Sequence, residues 1–470
     1  MDIAQWIDEN ASIFIQASDQ IWEAAEIKFQ EARSAKVLED ALEKAGFIVE
    51  RGVAEMPTAF VASYGNGKPV IAVLGEYDAL PGLSQEKLPY RKARVTGAAG
   101  HGCGHNLLGS GSLAAVMAVA QAIRAGDVHG TVRYYGCPAE EGGSGKGYMV
   151  KAGLFNDVDL ALSWHPQDTN VAASINLLAV IQAYFRFHGK TAHAAADPYN
   201  GRSALDAVEL MNIGTNYLRE HMIPEARIHY IITKGGSAAN VVPDLAESHY
   251  MVRAPEMSEA KELFERVKAV AQGAALMTGT QLEVIFDAGF SNMILNTTID
   301  DVFYEKLVQI GAPQLNPEEK EFAQEIAKTL PGGTGLEGLA RLLGGNANKI
   351  VNQLKGKVYC DIVLPRIISQ AAMPGSSDVG DVSWVTPTGQ LGTACSILGT
   401  PGHSWQQVAQ GSMGIGYKGL LYAGKVMAAA AIEFMQHPEL VEKARAEFEE
   451  HTKGKTYQSP IPDEVKPPVF

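Results

Sequence analysis

Short apolar runs alternate with helical stretches through the first third of the chain, and that alternation restricts the fold more than any other feature. The runs Thr58–Tyr64, Val70–Gly75, Thr131–Gly136 and Val158–Trp164 have strand length and are bounded by turn residues. Residues 3–25, 31–46, 106–124 and 144–152 read as helices, with Gly46 and Gly126 as stop signals. Strands that alternate with helices favour a parallel sheet, and such a sheet is covered on both faces. The pattern therefore predicts an α/β domain with a largely parallel sheet. In that architecture ligands bind beyond the carboxyl ends of the strands, and that is where reactive side chains are to be sought.

The pattern changes near residue 176. Strands at Leu178–Phe187, Ile228–Thr233, Glu247–Val252 and Gln281–Phe286 interleave with helices at 203–220 and 258–277. The order β-α-β-β-α-β is that of a ferredoxin-like unit, long enough to be a small α+β domain inserted into the first. The expected division is 1–175 for the first part of the larger domain, 176–289 for the insertion, and 290–470 for the return. Residues 311–373 combine charged helical stretches with the glycine patch Gly332-Gly333-Thr334-Gly335, and the tail after His451 is expected to lie extended on the surface.

Charge and cysteine usage narrow the function classes. A formal net charge of -14 disfavours nucleic acid and anionic membrane surfaces as partners. No basic-then-apolar leader opens the chain, and no run of about 18 apolar residues is expected to span a membrane. Four separated cysteines, at positions 103, 137, 360 and 395, are too few for a disulfide scaffold. The expectation is a reducing, cytoplasmic setting in which a cysteine with a role is a ligand or a nucleophile.

Four motifs carry the chemistry. In Gly102-Cys103-Gly104-His105, the thiol of Cys103 and the imidazole of His105 stand two residues apart before a helix, so both can face one ion such as zinc, cobalt or manganese. The string also suits a glycine-rich turn. Pro138-Ala139-Glu140-Glu141-Gly142 follows a strand, where one carboxylate can bind metal while the other takes a proton from an attacking water. Adjacent acids also suit a helix N-terminus. His165 closes the strand Val158–Trp164, and His403 sits in the loop Gly402-His403-Ser404-Trp405; each alone also suits a structural histidine. The run Gly143-Ser144-Gly145-Lys146-Gly147 lacks the spacing of a phosphate loop. The set decides among these readings. Cys103, His105, Glu141, His165 and His403 give five candidate ligands at strand ends or loops of one sheet, and Glu140 remains as a base. Two metal ions need about that many ligands when one is shared.

Longer strings add a resemblance. Gly75-Glu76-Tyr77-Asp78-Ala79-Leu80-Pro81, Gly102–Asn106, Pro138–Gly143, Thr191-Ala192-His193-Ala194 and Asn240-Val241-Val242-Pro243 resemble the M20 metallopeptidase family over about residues 15 to 430. Cysteine in place of an aspartate ligand points to its amidohydrolase branch. The resemblance implies a dinuclear metallohydrolase domain with an inserted lid and dimerisation domain, and two divalent cations, Mn2+ or Zn2+. It implies Cys103 as the shared ligand, Glu140 as general base, and Asp78 orienting a ligand. It also implies His193 steadying the oxyanion of a neighbouring subunit's site with help from Asn240, and Arg253 gripping a substrate carboxylate. The implied reaction cuts the amide of an N-acyl or aminobenzoyl amino acid and frees glutamate. A general N-acyl-amino-acid hydrolase or dipeptidase remains the alternative. The implied assembly is a homodimer, or a hetero-oligomer with a related subunit, through the inserted domain. Asn106 departs from the acidic residue that many relatives carry after the ligand pair.

Overall fold

The computed structural model describes residues 2–330, 347–373 and 375–470. Twelve strands are found among them: β1 (Ile48–Arg51), β2 (Phe60–Asn66), β3 (Val70–Glu76), β4 (Gly130–Cys137), β5 (Leu160–Gln167), β6 (Val171–Leu177), β7 (Ala179–His188), β8 (Arg227–Lys234), β9 (Leu245–Ala254), β10 (Gln281–Phe290), β11 (Ile367–Met373) and β12 (Thr388–Ala394). Eight form one sheet in the order β1-β2-β4-β3-β5-β12-β6-β11. The central run β4-β3-β5-β12 is parallel throughout, so four carboxyl ends lie side by side. β6 and β11 also pair in parallel. The pairs β1–β2, β2–β4 and β6–β12 are antiparallel.

Every residue of β3 is buried, as a central strand covered on both faces requires. The helix His105–Ala125 crosses this sheet closely because its glycines face it. A Cβ on Gly109 would stand 2.7 Å from the Glu76 carbonyl oxygen, and one on Gly111 would stand 2.6 Å from the Trp164 ring. Gly424, on the neighbouring helix Gly414–Gln436, fits against Ala114 in the same way. The helix His105–Ala125 is long and apolar enough to cross a membrane, which the sequence pattern did not lead us to expect of any stretch. Its apolar window is 83% buried within the protein, as befits a core helix.

The smaller sheet has the order β10-β7-β9-β8 and is antiparallel throughout. Helices Ala204–Leu218 and Met257–Thr278 pack on it around a core that includes Phe185, Phe187, Tyr250 and Val267. β6 of the large sheet ends at Leu177, and β7 of the small sheet begins at Ala179.

Several local expectations need correction. Residues 3–25 form two helices, Ile3–Glu9 and Ala11–Ala24, with Asn10 between them. Strands β1, β6, β11 and β12 were not anticipated. β12 reads Thr-Gly-Gln-Leu-Gly-Thr-Ala, without the apolar run that marked the other central strands; its Gly389 admits Ile299 and its Gly392 admits Gln167. The strand ending in His165 runs on to Gln167, so His165 lies within it. The tail is anchored and not merely superficial: Ile461 is buried, and Tyr457 donates to Asp381 at 2.8 Å. Within 311–373 the chain forms helices Pro317–Ala327 and Ala347–Leu354. The glycine patch 332–335 lies outside the described residues.

Candidate metal centre

The four parallel strand ends deliver the candidate ligands. Asp78 follows β3, Glu140 and Glu141 follow β4, His165 lies near the end of β5, and His403 sits in the loop between β12 and the helix Trp405–Gln410. Cys103 and His105 come from the turn that opens the helix His105–Ala125, where Gly104 adopts φ +79° and starts the helix. Two loop residues hold unusual backbone conformations, Ala139 at φ +59° and His403 at φ +54°. Such strain in non-glycine residues persists only where neighbouring contacts impose it. Here Glu31 accepts the Ala139 N–H at 2.9 Å, and the His403 N–H is held by the Gly102 carbonyl at 3.0 Å.

All five candidate ligands converge. The donor atoms of Cys103, His105 and His165 lie within 4.8 Å of one another, and so do those of Cys103, Glu141 and His403. Cys103 belongs to both groups. Its Sγ is 3.3 Å from His165 Nε2, and His403 Nε2 is 3.5 Å from Glu141 Oε2. Asp78 ties the halves together: Oδ1 is 2.9 Å from His105 Nδ1, and Oδ2 accepts the Glu141 N–H at 2.8 Å. With Nδ1 engaged there, His105 presents Nε2 to the site. Glu140 Oε2 is 3.9 Å from that nitrogen. No helix begins at Glu140 or Glu141, since the next one starts at Gly145; the reading of a helix N-terminus is thereby removed.

The electrostatics are those of a donor set drawn out of water. Burial pushes the Cys103 thiol up to about 12. Burial, then the charge of Glu76, raises Glu140 well above the ordinary carboxylate range, and burial raises Glu141. Burial lowers His165, and the charge of His105 adds to that. His105 moves the other way: burial opposes protonation, but Cys103 and Asp78 together outweigh it and lift His105 well above its ordinary value. Glu76 Oε2, His105 Nε2 and Glu141 Oε1 are buried without hydrogen-bond partners. Buried polar atoms are rarely left so, and a divalent cation satisfies thiolate, imidazole and carboxylate donors together. The residues fit such ions.

His193, Asn240 and Arg253 are placed elsewhere. His193 and Asn240 are exposed and adjacent: His193 bridges Val241, and the Asn240 carbonyl accepts the Ala194 N–H at 3.0 Å. His193 Nδ1 accepts the N–H groups of Ala195 and Ala196 at 3.2 and 3.1 Å, which leaves the proton of a neutral ring on Nε2. Among the described residues, His193 joins neither donor group around Cys103. Arg253, on β9, donates to Ser376 Oγ at 2.9 Å and so links the small sheet to the segment before Asp378. Asn106 donates to Ser18 Oγ and the Gly411 carbonyl, a packing role apart from the cluster.

Sequence reasoning missed several residues. Glu31 and Lys28 cradle the loop that carries Glu140, since Lys28 Nζ donates to the Gly142 carbonyl at 2.6 Å. Glu76, Lys146 and Asp378 form a fully buried ion cluster beside His105. Glu76 lay in view within the string Gly75–Pro81, and Lys146 within the rejected phosphate-loop string.

Comparison with known proteins agrees with this geometry. The family described as Peptidase family M20/M25/M40 matches residues 72–463. The chain is 45% identical over 466 residues to one of the subunits of p-aminobenzoyl-glutamate hydrolase from Escherichia coli (strain K12), covering 98% of this chain and 97% of that protein. It is 32% identical over 241 residues to a second, distinct subunit of the same organism's hydrolase, over 48% of this chain and 54% of that one. A solved dinuclear metal-binding peptidase of the M20 family from Bacillus subtilis shares the fold, with a TM-score of 0.54 at 18% identity over 90% of this chain and 99% of that one. Fold and site thus define a hydrolase of amide bonds built around divalent metal ions. The chain belongs to the M20/M25/M40 peptidase family.

Proposed function

We propose that this enzyme hydrolyses the amide of p-aminobenzoyl-glutamate to p-aminobenzoate and glutamate with two divalent cations, Mn2+ or Zn2+, which the two donor groups that contain Cys103 would hold. The observation that carries this reading is the membership of Cys103 in two donor groups, with Glu140 beside them. The substrate rests on the 45% identity to a component of the hydrolase named for that compound.

In this reading His105 and His165 would hold one cation, and Glu141 and His403 would hold the other. Asp78 orients His105 and the Glu141 backbone. Bound there, the cations would supply Lewis acidity to a water and to the amide carbonyl. Glu140 takes the proton from that water as its oxygen attacks the amide carbon, then gives it to the leaving amine nitrogen. Arg253 holds the glutamate carboxylate by paired hydrogen bonds. His193, with its proton on Nε2, donates to the oxyanion and is helped by Asn240. Both residues are exposed and His193 joins neither donor group, which supports service to a neighbouring site in a homodimer or in a hetero-oligomer with a related chain. The likeness to two different subunits of one hydrolase supports the latter. All four cysteines are free, in keeping with a cytoplasmic enzyme.

The test is metal analysis of the purified chain together with hydrolysis of p-aminobenzoyl-glutamate beside acetyl- and peptide-glutamates. Faster turnover of the aminobenzoyl compound is expected. Preference for a dipeptide would replace the substrate and keep the chemistry. Activity that emerges only on adding a related chain would establish the hetero-oligomer.

A further inference from the structure

Glu76 is the residue of the site that the proposed function leaves without a role. It closes β3, and its side chain is buried. Oε1 lies 2.7 Å from Lys146 Nζ. Lys146 is itself wholly buried and sits 2.5 Å from Asp378 Oδ1, while Asp378 Oδ2 accepts the Lys146 backbone N–H at 2.9 Å. A buried ammonium is stable only when paired, and here two carboxylates hold it in one place. In return, Lys146 fixes the Glu76 carboxylate by one oxygen and leaves the other to point elsewhere.

That other oxygen, Oε2, has no hydrogen-bond partner and stands 3.2 Å from His105 Nε2, which has none either. His105 gives Nδ1 to Asp78. In the metal-free site a proton on Nε2 can lie between the ring and Glu76 Oε2; a cation that displaces it would meet the ring lone pair and the Glu76 carboxylate together. The donor atoms of Glu76, His105 and Glu140 lie within 4.8 Å of one another, a third group with the spacing of a metal site.

We propose that Glu76 Oε2 is a further ligand of the cation on the His105 side, oriented by the buried pair Lys146–Asp378. The inference rests on the two-cation reading. It makes the two positions unlike: one takes a carboxylate held by a buried ammonium together with the imidazoles, and the other takes Glu141 and His403. Lys146 anchors the ligand from behind, as outer partners commonly do for metal-bound carboxylates.

The test is titration of metal-free wild type and Glu76→Gln with Zn2+ or Co2+ against a chromophoric chelator. Wild type is expected to take two cations. Glu76→Gln should keep one at wild-type affinity and weaken the other by about 10- to 100-fold, with stronger visible absorption of Co2+ as coordination number falls. If Glu76 serves only to pair with a protonated His105, the variant will bind both cations as tightly as wild type or more so, and the proposal is overturned. Because Lys146 loses a charged partner in that variant, a crystal structure of Zn2+-loaded wild type provides a test independent of its folding. Zn2+ at about 2.0–2.2 Å from Glu76 Oε2 is expected; an oxygen that stays out of contact with both ions overturns the assignment. Two cations with Glu76 ligated but no amide hydrolysis would remove the proposed function alone. Normal hydrolysis with two cations insensitive to Glu76→Gln would remove this inference alone.

Discussion

The large and small sheets carry their candidate residues in opposite ways. At the carboxyl ends of β4, β3, β5 and β12 the donors run from buried Asp78 and His105 through half-buried Cys103, Glu141 and His165 to exposed His403, and they touch one another: Cys103 meets His165, Asp78 meets His105, and His403 meets Glu141. In the small domain His193 and Asn240 are exposed, and their contacts are with their own neighbours. A set that satisfies its own geometry can be complete within one chain. The proposed service of His193 and Asn240 to a neighbouring site is what this contrast puts to the test.

Glu140→Gln should have the largest effect. It keeps size and removes the proton acceptor, so turnover should fall by about 10²- to 10⁴-fold with metal content and fold unchanged. Near-normal turnover would break the assignment of the base to the large sheet.

The other half of the contrast is probed by His193→Ala, which should cost about 10²- to 10³-fold in kcat without loss of metal. Mixing that chain with the Glu140→Gln chain should restore part of the activity, since one site of a mixed dimer then keeps both residues. No recovery despite demonstrated subunit exchange would place His193 in its own subunit's site or outside catalysis.

Cys103→Ser should lower metal affinity on the order of 100-fold, read by metal analysis after dialysis, while the melting profile of the metal-free protein shifts little. A full metal complement would reduce Gly102–His105 to a turn. Arg253→Gln should raise KM by roughly tenfold to a hundredfold with a smaller change in kcat, since it removes a charged hydrogen bond to bound substrate. An equal fall in kcat instead would mean that its link to Ser376 matters more than substrate binding.

The smallest effect is expected at the joint between the two regions. Asp381 accepts from Ser291, where the chain returns to the large domain, and from Tyr457 of the tail. Burial holds its carboxyl up at about 7, above the ordinary 3.8. Between about pH 4 and 7 the folded protein keeps a proton that the unfolded chain has released, so stability falls as pH rises through that window and levels off above it. Asp381→Asn should flatten this slope, measured by urea unfolding at pH 5 and pH 8. An unchanged slope would assign the pH dependence to other buried acids.

How far the site was legible depended on whether a residue's partners were near it in sequence. Cys103 and His105 stand together in one turn, and Glu140 with Glu141 in another, so pairs of metal-binding type were visible before any fold was known. Glu31 was invisible because it reaches the site by accepting the N–H of Ala139, more than a hundred residues away. Lys146 was misleading in isolation: its glycine-rich surroundings suggested a phosphate loop, whereas its ammonium lies between Glu76 and Asp378. β12 was missed because small residues, which make room for Ile299 and Gln167, replace the apolar run that signals a central strand.

The sequence by itself determined the alternating architecture, the ferredoxin-like order of the insertion, and five candidate donor residues of three types with Glu140 beside them. These follow from local periodicity and from side-chain chemistry, which do not need distant contacts. Tertiary structure alone decided that Cys103 is shared between two donor groups and that Asp78 binds both halves together. It alone set a buried ammonium behind Glu76. The reason is physical: these relations are distances between strand ends far apart in the chain, and they come into being when the parallel pairing of β4, β3, β5 and β12 brings those ends together.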